Sequence, residues 1–293
     1  MHDAFEFCKV YHFADDTNLL YSHKNLKTLR KNINKDLDTL FDWLCANRLS
    51  LNVSKTEFII FRPPRTSYED RVTLTLNRTK IFESSKIKYL GVLLDPKLSW
   101  KHHVFEVRKK LNRAIGMLFK LRNLKCDVDV LKTIYYSLFH SHASYGLCAW
   151  GSSPQNLESI FLLQKKAIRA IAGLDFQAPT NDSFKSLGIV KIHDLYKVQY
   201  ASLMWDFDHG ILPHAFDDFF VPISAIHNYE TRSAVAGKLA QPHIFNTKIH
   251  GNKMFKRQGV LIFNEIVSKE FYINPTTKMS FLKKFKEYLI GLY

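Results

Sequence analysis

Two adjacent carboxylates, Asp15 and Asp16, are the residues of this chain best suited to chemistry. They follow Phe13 and Ala14 and lie between two apolar runs, as at the tip of a β-hairpin. Like charges repel, and a carboxylate near apolar surface is costly without a counter-charge. A divalent cation removes both costs, and Mg²⁺ prefers carboxylate and phosphate oxygens. The pair therefore predicts a magnesium site, although Asp-Asp-Thr-Asn is also typical of an ordinary turn or helix cap.

Composition limits the classes of protein to consider. The 293 residues are 46% hydrophobic, which predicts a packed core in one large domain or two. The formal net charge of +15 favours a polyanionic partner, with nucleic acid ahead of an acidic membrane surface. The four cysteines fit no zinc-binding spacing and predict a reducing, intracellular compartment. Because no apolar run approaches the roughly 20 residues that span a bilayer, we expect no membrane partner, and no signal peptide is evident.

The first third of the chain combines strand and helix patterns. Residues 7–22 are predicted to form a hairpin around the acid pair. Apolar residues three and four positions apart then predict an amphipathic helix that begins after Asn25 and ends near Asn47. From 51 to 94 the apolar period changes to two, which predicts a small antiparallel sheet. The strands predicted there are 57–61, 71–76 and 86–94, with a short turn at Asn77-Arg78.

Helical periodicity dominates the rest of the chain, and Gly173 is a fitting helix stop. The predicted helices are 99–122, 127–148, 154–172, about 191–208 and 278–290. In the second of these, the residues predicted to face inward are Leu131, Ile134, Leu138 and Phe139. A small sheet with one helix, followed by a mostly helical remainder, predicts an α+β fold whose helical portion is a separate domain.

Eight short motifs follow one another along the chain. They are FADDTNL at 13–19, LSLNVSKTEFIIF at 49–61, YLGVLLD at 89–95, LSW at 98–100, YGLCAWG at 145–151, LQKKAIRAIAG at 163–173, TRSA at 231–234 and SFLKKFKEYL at 280–289. This ordered set resembles the C-terminal half of the reverse transcriptases of jockey-like non-LTR retrotransposons. The first motif resembles the catalytic hairpin, the second the next palm motif and the third the motif that contacts the primer strand. The resemblance covers essentially the whole chain.

The resemblance implies a set of roles for particular residues. It implies an RNA-directed DNA polymerase in which two Mg²⁺ ions serve nucleotidyl transfer onto a primer 3′-hydroxyl. Asp15 is then the main metal ligand and Asp16 a supporting one. Lys55 resembles the lysine that meets the departing pyrophosphate, with a solvated turn lysine as the alternative. The implied primer-contact residues are Tyr89, Leu90 and Gly91. Gly91 would let the backbone approach the primer closely, with a strand bulge as the alternative.

Basic residues at helical spacing predict a second functional surface. Such faces could contact the phosphates of an RNA template and DNA primer, or of an RNA–DNA hybrid. An ordinary solvated helix face is the alternative. The residues concerned are Lys109, Arg113 and Lys120 on one predicted helix and Lys165, Lys166 and Arg169 on another.

The resemblance also divides the chain. It implies a partial reverse-transcriptase palm at 1–95, a helical thumb-like domain at 96–176 and a helical C-terminal region at 177–293. A complete palm has another metal-binding aspartate and the fingers upstream, whereas only 12 residues precede Phe13. We therefore expect a fragment of an RNA-directed DNA polymerase that is inactive alone. The alternative functions are a non-catalytic fragment that binds RNA or an RNA–DNA hybrid, and a protein-interaction module built from the helical portion.

Overall fold

A computed structural model describes residues 5–61, 72–226, 229, 231–242, 255–273 and 277–293. The chain divides into two units, Met1–His102 and His103–Tyr293. Short antiparallel strands and one long helix form the first unit, and helices form the second. The predicted α+β class is therefore confirmed. Within the described ranges, none of the helices is both long and apolar enough to cross a membrane.

The described part of the first unit contains three β-hairpins. Its elements are β1 (Lys9–Phe13), β2 (Asp16–Leu20), α1 (Leu26–Ala46), β3 (Thr73–Leu76), β4 (Thr79–Phe82), β5 (Ile87–Tyr89) and β6 (Val92–Leu94). Each strand pairs only with its neighbour in sequence, so the described strands form three two-stranded sheets rather than the single small sheet predicted after α1. The predicted hairpin at 7–22 is confirmed as β1 and β2. A two-stranded sheet is marginal alone, so packing against α1 must support this unit.

Helix α1 begins and packs as its sequence predicts. The Asn25 side chain caps it by accepting hydrogen bonds from the backbone N–H groups of Lys27 and Thr28. The inward leucines of the helix meet the inward face of β3 and β4 in one apolar cluster. Its buried members are Leu37, Leu40, Leu44, Val72, Leu74, Leu76 and Ile81.

Two strand predictions in this unit are wrong. The run 57–61 forms only one bridge, between Phe58 and Glu83, instead of a strand. The run 86–94 is a hairpin instead of one strand, because Leu90 and Gly91 both have positive φ, 44° and 81°. Two successive residues with positive φ make a tight turn that matches strand twist. The predicted turn at Asn77-Arg78 is confirmed, and both of its residues also have positive φ. Arg71, the first residue of the strand predicted at 71–76, lies outside the described residues.

Helices build the remainder of the described chain. They are α2 (Lys101–Asn123), α3 (Val128–Ile134), α4 (Ser141–Ser144), α5 (Leu147–Trp150), α6 (Pro154–Ala172), α7 (Asn181–Leu187), α8 (Ile192–Asp208), α9 (Arg232–Val235), α10 (Phe255–Ile266), α11 (Glu270–Ile273) and α12 (Lys278–Gly291). The predictions of α2, α6, α8 and α12 are confirmed. Helix α6 starts with a proline in its first turn and ends at Gly173, whose φ is 70°. Both residues are typical of these helix ends.

The segment 127–148 is not the single helix predicted. A π-helical turn, Tyr135–His140, separates α3 from α4, and Gly146 with a φ of 61° ends the helical run before α5. A π turn holds more residues per turn than an α-helix and so rotates the following side chains. Tyr135 is buried four residues after the buried Leu131, while Ile134 and Leu138 are only half-buried.

A buried glutamine joins three parts of the second unit. Gln164 on α6 is 1% exposed. Its Nε2 donates to the Tyr135 hydroxyl and the Val190 carbonyl, both at 2.9 Å. Its Oε1 accepts from the Ile192 backbone N–H at 2.9 Å. Because each polar atom of the amide has a partner, this network stabilises the packing of α6 against the π turn and the start of α8.

We expect the second unit to lose stability in mild acid. Burial lowers the pKa of His103, with Lys110 adding to the effect, and burial and Lys286 lower the pKa of His140. The folded chain therefore keeps both rings neutral, whereas unfolded histidine takes up a proton below a pH of about 6.5. This stability is present above that pH and declines as the pH falls towards the folded pKa values. Thermal unfolding should start a few degrees lower at pH 5.5 than at pH 7.5.

The variant His103→Gln should show a smaller difference between the two pH values. A control, His214→Gln, changes a fully exposed histidine and should leave the difference intact. An unfolding temperature that is equal at both pH values in the parent chain would contradict this prediction.

Candidate catalytic hairpin and nucleic-acid interface

The acid pair lies at the tip of the β1–β2 hairpin, as predicted. Phe13 pairs with Asp16 across the strands, so that Ala14 and Asp15 alone form the loop. Ala14 has a φ of 53°, in the left-handed region, which costs conformational free energy in residues that have a Cβ. Two-residue loops with positive φ suit the twist of paired strands. The local backbone thus places both acidic residues at the end of the hairpin, Asp15 in the loop and Asp16 at the start of β2.

One face of this hairpin is packed and the other is open. Val10 is 8% exposed, and its cross-strand partner Leu19 packs against the α1 cluster. On the opposite face, Tyr11 is 49% exposed and Phe13 62% exposed. Since side chains alternate along a strand, Asp16 shares this open face with its partner Phe13. The hairpin therefore presents an aromatic surface beside a carboxylate.

The oxygens of Asp15 and Asp16 are available to a ligand. Both residues are exposed, and neither carboxylate has a hydrogen bond or ion pair among the described residues. Carboxylate oxygens of this kind suit a hard cation such as Mg²⁺. In the described ranges, however, no group of three or more His, Cys, Asp or Glu side chains could hold a metal. The pair fits part of a magnesium ligand set.

Replacing Ala14 by glycine should stabilise the hairpin. Glycine adopts a positive φ without the Cβ clash, so Ala14→Gly should raise the free energy of unfolding of the first unit by about 1 kcal/mol. Urea denaturation followed by circular dichroism measures this change. Lys31→Gly, a control at an exposed interior position of α1, should lower the free energy of unfolding instead. A loss of stability in Ala14→Gly would contradict the conformation of the loop.

Lys55 ends a short 3-10 turn, Val53–Lys55, that follows α1. Val53 packs against the same apolar cluster as Leu19 of the hairpin. The Lys55 side chain is exposed and has no ion pair within the described residues. Its ammonium group is available to an anion. The turn that carries Lys55 and the hairpin that carries the acid pair pack against the same apolar cluster.

The predicted primer-contact residues lie at another hairpin tip. Tyr89 pairs with Val92, which leaves Leu90 and Gly91 as the loop between β5 and β6. Gly91 is exposed and belongs to a turn, not to the strand bulge that was the alternative. A glycine at a turn tip gives an outside molecule access to the backbone.

Asp95 has a structural role that its motif alone does not reveal. This aspartate is 7% exposed. Its carboxylate accepts hydrogen bonds from the backbone N–H groups of Lys97, Ser99 and Trp100 at 2.9–3.2 Å. It thereby orders the turn that leads into α2. The signal in the sequence is an aspartate followed by proline and serine, which is typical of turn and capping chemistry.

The basic residues predicted on α2 are exposed. Its buried side chains occupy the opposite face of the helix. Lys109 forms a 3.0 Å ion pair with Glu106 and lies over the Phe105 ring. Arg113 and Lys120 have no such partner among the described side chains. These two cations are therefore the most available to phosphates.

The basic residues on α6 are partly engaged within the fold. The ammonium of Lys165 lies 4.4 Å from the Phe161 ring centre, and that of Lys166 lies 5.9 Å from the ring centre of Phe176. The Nε of Arg169 donates to the Ala178 carbonyl at 2.9 Å. Arg169 thus stabilises the segment that follows α6, which lessens its freedom to contact a ligand.

Curated proteins similar to this chain are polymerases of mobile elements. It is 27% identical over 189 residues to the RNA-directed DNA polymerase from mobile element jockey of Drosophila melanogaster, a match that covers 62% of this chain and 20% of the relative. It is 25% identical over 186 residues to the jockey polymerase of Drosophila funebris, with 62% and 20% covered. It is 23% identical over 189 residues to the probable RNA-directed DNA polymerase from transposon X-element of Drosophila melanogaster, with the same coverage.

These matches confirm the resemblance seen in the motifs over 62% of the chain, not over essentially the whole of it as the motifs predicted. No protein-family model and no solved structure matches the chain. The chain spans about a fifth of the length of the curated relatives it matches, since 20% of each is covered. It is a homologue of the RNA-directed DNA polymerases of jockey and other mobile elements, and it matches part of their length.

Proposed function

We propose that this chain is part of an RNA-directed DNA polymerase. The observation that carries the proposal is the exposed pair Asp15 and Asp16 on a two-residue hairpin loop, in a chain whose homologues are such polymerases. In this proposal residues 1–95 are part of the palm, 96–176 a thumb-like domain and 177–293 a C-terminal region. The names of the homologues do not favour the alternative of a non-catalytic nucleic-acid-binding fragment.

The hairpin would supply part of a magnesium site. Asp15, in the loop, is the main ligand and Asp16, beside Phe13, the supporting one. Bound magnesium would neutralise phosphate charge and favour attack by the primer 3′-hydroxyl. The small side chain of Ala14 leaves room for a base pair close to the loop. Because the described residues hold no third ligand here, we propose that another acidic side chain completes the site.

Two further elements of the first unit would assist. The exposed ammonium of Lys55 can neutralise charge on the departing pyrophosphate, and its turn packs on the cluster that also supports the hairpin. The loop residues Leu90 and Gly91, with Tyr89 at the strand end, offer backbone to the primer sugar-phosphate. Both roles are consistent with the positions of these residues at exposed turns.

The basic helices would hold the RNA template and the DNA primer. Lys109, Arg113 and Lys120 project from one exposed face of α2. Each cation that contacts a phosphate releases a bound counterion from the nucleic acid, so binding weakens as salt rises. Contacts to phosphate fix position without reading sequence, as a polymerase requires.

A primer-extension assay tests the proposal. The purified chain, Mg²⁺, nucleotides and an RNA template annealed to a DNA primer should give binding that weakens with salt but no nucleotide incorporation. The physical reason is that two carboxylates do not complete a two-metal ligand set. Incorporation that is lost in Asp15→Ala would contradict the expected inactivity. Absence of binding even at low salt would contradict the proposed function itself.

Paramagnetic Mn²⁺, a substitute for Mg²⁺, should locate the metal site. At about millimolar Mn²⁺, nuclear magnetic resonance signals of residues around the hairpin tip should broaden first, because the ion sits beside the Asp15 and Asp16 carboxylates. The double variant Asp15→Asn with Asp16→Asn should lose this broadening. The control Asp38→Asn, on the exposed side of α1, should keep it. Broadening that persists in the double variant would place the metal elsewhere.

A further inference from the structure

Asp36 is an acidic residue buried in the first unit. It lies on α1 and is 2% exposed. It stands three residues after Ile33 and four before Leu40, on the side of the helix that packs inward. Asp38, two residues later, is exposed. Burial of a carboxylate is costly unless the group is paired or hydrogen-bonded, so the partners of Asp36 indicate its role.

These partners include the segment that enters the β1–β2 hairpin. Oδ2 of Asp36 accepts a hydrogen bond from the Phe7 backbone N–H at 3.2 Å, and Oδ1 accepts one from the Glu6 backbone N–H at 3.4 Å. The neighbouring Lys35 forms an ion pair with Glu6 and lies 5.2 Å from the ring centre of Phe7. Hydrogen bonds to a charged acceptor contribute more than neutral ones. One turn of α1 therefore holds the chain directly before β1.

The segment that leaves the hairpin lies beside the same carboxylate. Tyr21 follows the last residue of β2, and its hydroxyl oxygen is buried. Burial raises the pKa of Tyr21, and the nearby Cys8 and Asp36 act in the same direction. Asp36 is thus close to both ends of the hairpin, at Phe7 before β1 and at Tyr21 after β2.

The hairpin needs such an attachment because its other support is small. Among the described strands, β1 and β2 pair only with each other, and a two-stranded sheet is marginal alone. Val10 is the only residue of the two strands that is buried, and Leu19 is half-buried against the α1 cluster. A segment with few buried contacts opens locally at a low free energy. The hydrogen bonds of Asp36 therefore add substantially to the population of the formed hairpin.

We propose that Asp36 is a positioning residue for the acid pair, which holds the base of the β1–β2 hairpin on α1 and so keeps Asp15 and Asp16 in their metal-binding arrangement. This inference rests on the proposed function, in which those two residues bind magnesium. A strand of five residues spans roughly 16 Å, so Asp36 acts at the base and does not touch the metal. It sets the fraction of molecules with a formed hairpin, and the apparent metal affinity scales with that fraction.

Titration with Mn²⁺, followed by nuclear magnetic resonance of the full chain, tests the role. Asp36→Ala should raise the Mn²⁺ dissociation constant about tenfold. Asp36→Asn should raise it only about threefold, because the amide oxygen still accepts a backbone hydrogen bond. Without metal, the signals of residues 9–20 in Asp36→Ala should shift towards unfolded positions. Saturating Mg²⁺ should return them to the parent positions, because metal binding and hairpin formation are coupled in both directions.

Two controls separate positioning from charge and from general stability. Asp38→Asn makes the same chemical change at an exposed position of the same helix and should keep the parent affinity. Ile81→Val shortens a buried side chain of the apolar cluster on β4. It should lower the thermal unfolding midpoint by a few degrees and leave the Mn²⁺ affinity unchanged.

The outcomes distinguish this inference from the proposed function. Parent affinity for Mn²⁺ in Asp36→Asn and Asp36→Ala would overturn the positioning role and leave the proposed function standing. An affinity loss in Ile81→Val as large as in Asp36→Asn would also overturn it, since general stability would then govern the site. If Asp36→Ala does not fold, Asp36→Asn and the two controls decide the question. A parent chain that binds no Mn²⁺ at the hairpin would overturn the proposed metal site and this inference together.

Discussion

Removing the two unpaired cations of the predicted basic face of α2, in the double variant Arg113→Gln with Lys120→Gln, is expected to weaken hybrid binding about a hundredfold at 0.1 M salt. Each lost phosphate contact removes the release of one counterion, so the slope of log affinity against log salt should fall by about two. Fluorescence anisotropy with a labelled RNA–DNA hybrid, measured over a range of salt concentrations, gives both quantities.

The ion pairs and hydrogen bonds of the other cations indicate how much each should contribute to hybrid binding. Lys109 is paired with Glu106, and the Nε of Arg169 is bonded to the Ala178 carbonyl. Glutamine at either position should therefore weaken binding less than at Arg113 or Lys120. A control, Lys185→Gln on α7, removes an exposed charge that belongs to neither predicted face. An effect of the control as large as that of the double variant would show that net charge, and not the α2 face, governs binding.

Gly151→Ala is expected to cause the largest loss of stability. Its Cβ would lie 2.6 Å from the Leu147 carbonyl oxygen and 2.7 Å from Cδ2 of Tyr196. A backbone oxygen cannot move without disturbing α5, and the adjacent Trp150 is fully buried, with its Nε1 donating to the Tyr145 carbonyl. Overpacking of this kind should cost roughly 3 kcal/mol. The unfolding midpoint should then fall by about 6–12 °C.

Differential scanning calorimetry measures this change. Gly116→Ala is the matched control, because the same chemical change at an open glycine within α2 should raise the midpoint instead. A Gly151→Ala midpoint within about 1 °C of the parent chain would contradict the packing around α5, since that shift corresponds to about 0.5 kcal/mol or less.

Local signals in the sequence predict those elements whose ends are set by turn or capping residues. The acid hairpin follows from two apolar runs around a two-residue loop, and α6 follows from the proline that opens it and Gly173 that ends it. The Asn25 cap predicts the start of α1 in the same way. In each case the physical cause, a turn or a capping group, lies within a few residues of the element. Local pattern is then sufficient.

Features that depend on distant partners are not visible in the pattern. Strands β5 and β6 are so short that their residues read as one alternating run, and only the positive φ of Leu90 reveals the turn. The π turn Tyr135–His140 interrupts the helical period of 127–148, and no turn or capping residue in the sequence marks it. Gln164 lies in an apolar stripe, and its burial depends on Val190 and Ile192, more than 20 residues away.

The candidate site likewise has parts that follow from local sequence and parts that depend on distant partners. The exposure of Asp15, Asp16 and Lys55 agrees with the motifs, because hairpin tips and turns are local structures. The sequence could not predict which basic side chains have a partner within the fold. Lys109 pairs with Glu106, and Arg169 donates to the Ala178 carbonyl after α6.

Cleavage by iron bound in place of magnesium tests most directly whether the hairpin carries a metal to a primer end. Fe²⁺ with a reductant and peroxide cleaves nucleic acid near the bound ion, and this does not require the chain to polymerise. We predict cuts clustered within a few nucleotides of the primer 3′ end of an RNA–DNA hybrid, and their loss when Asp15 and Asp16 are both changed to asparagine. Cuts spread evenly along the hybrid, or a cluster that survives both substitutions, would contradict the placement of the metal at this hairpin.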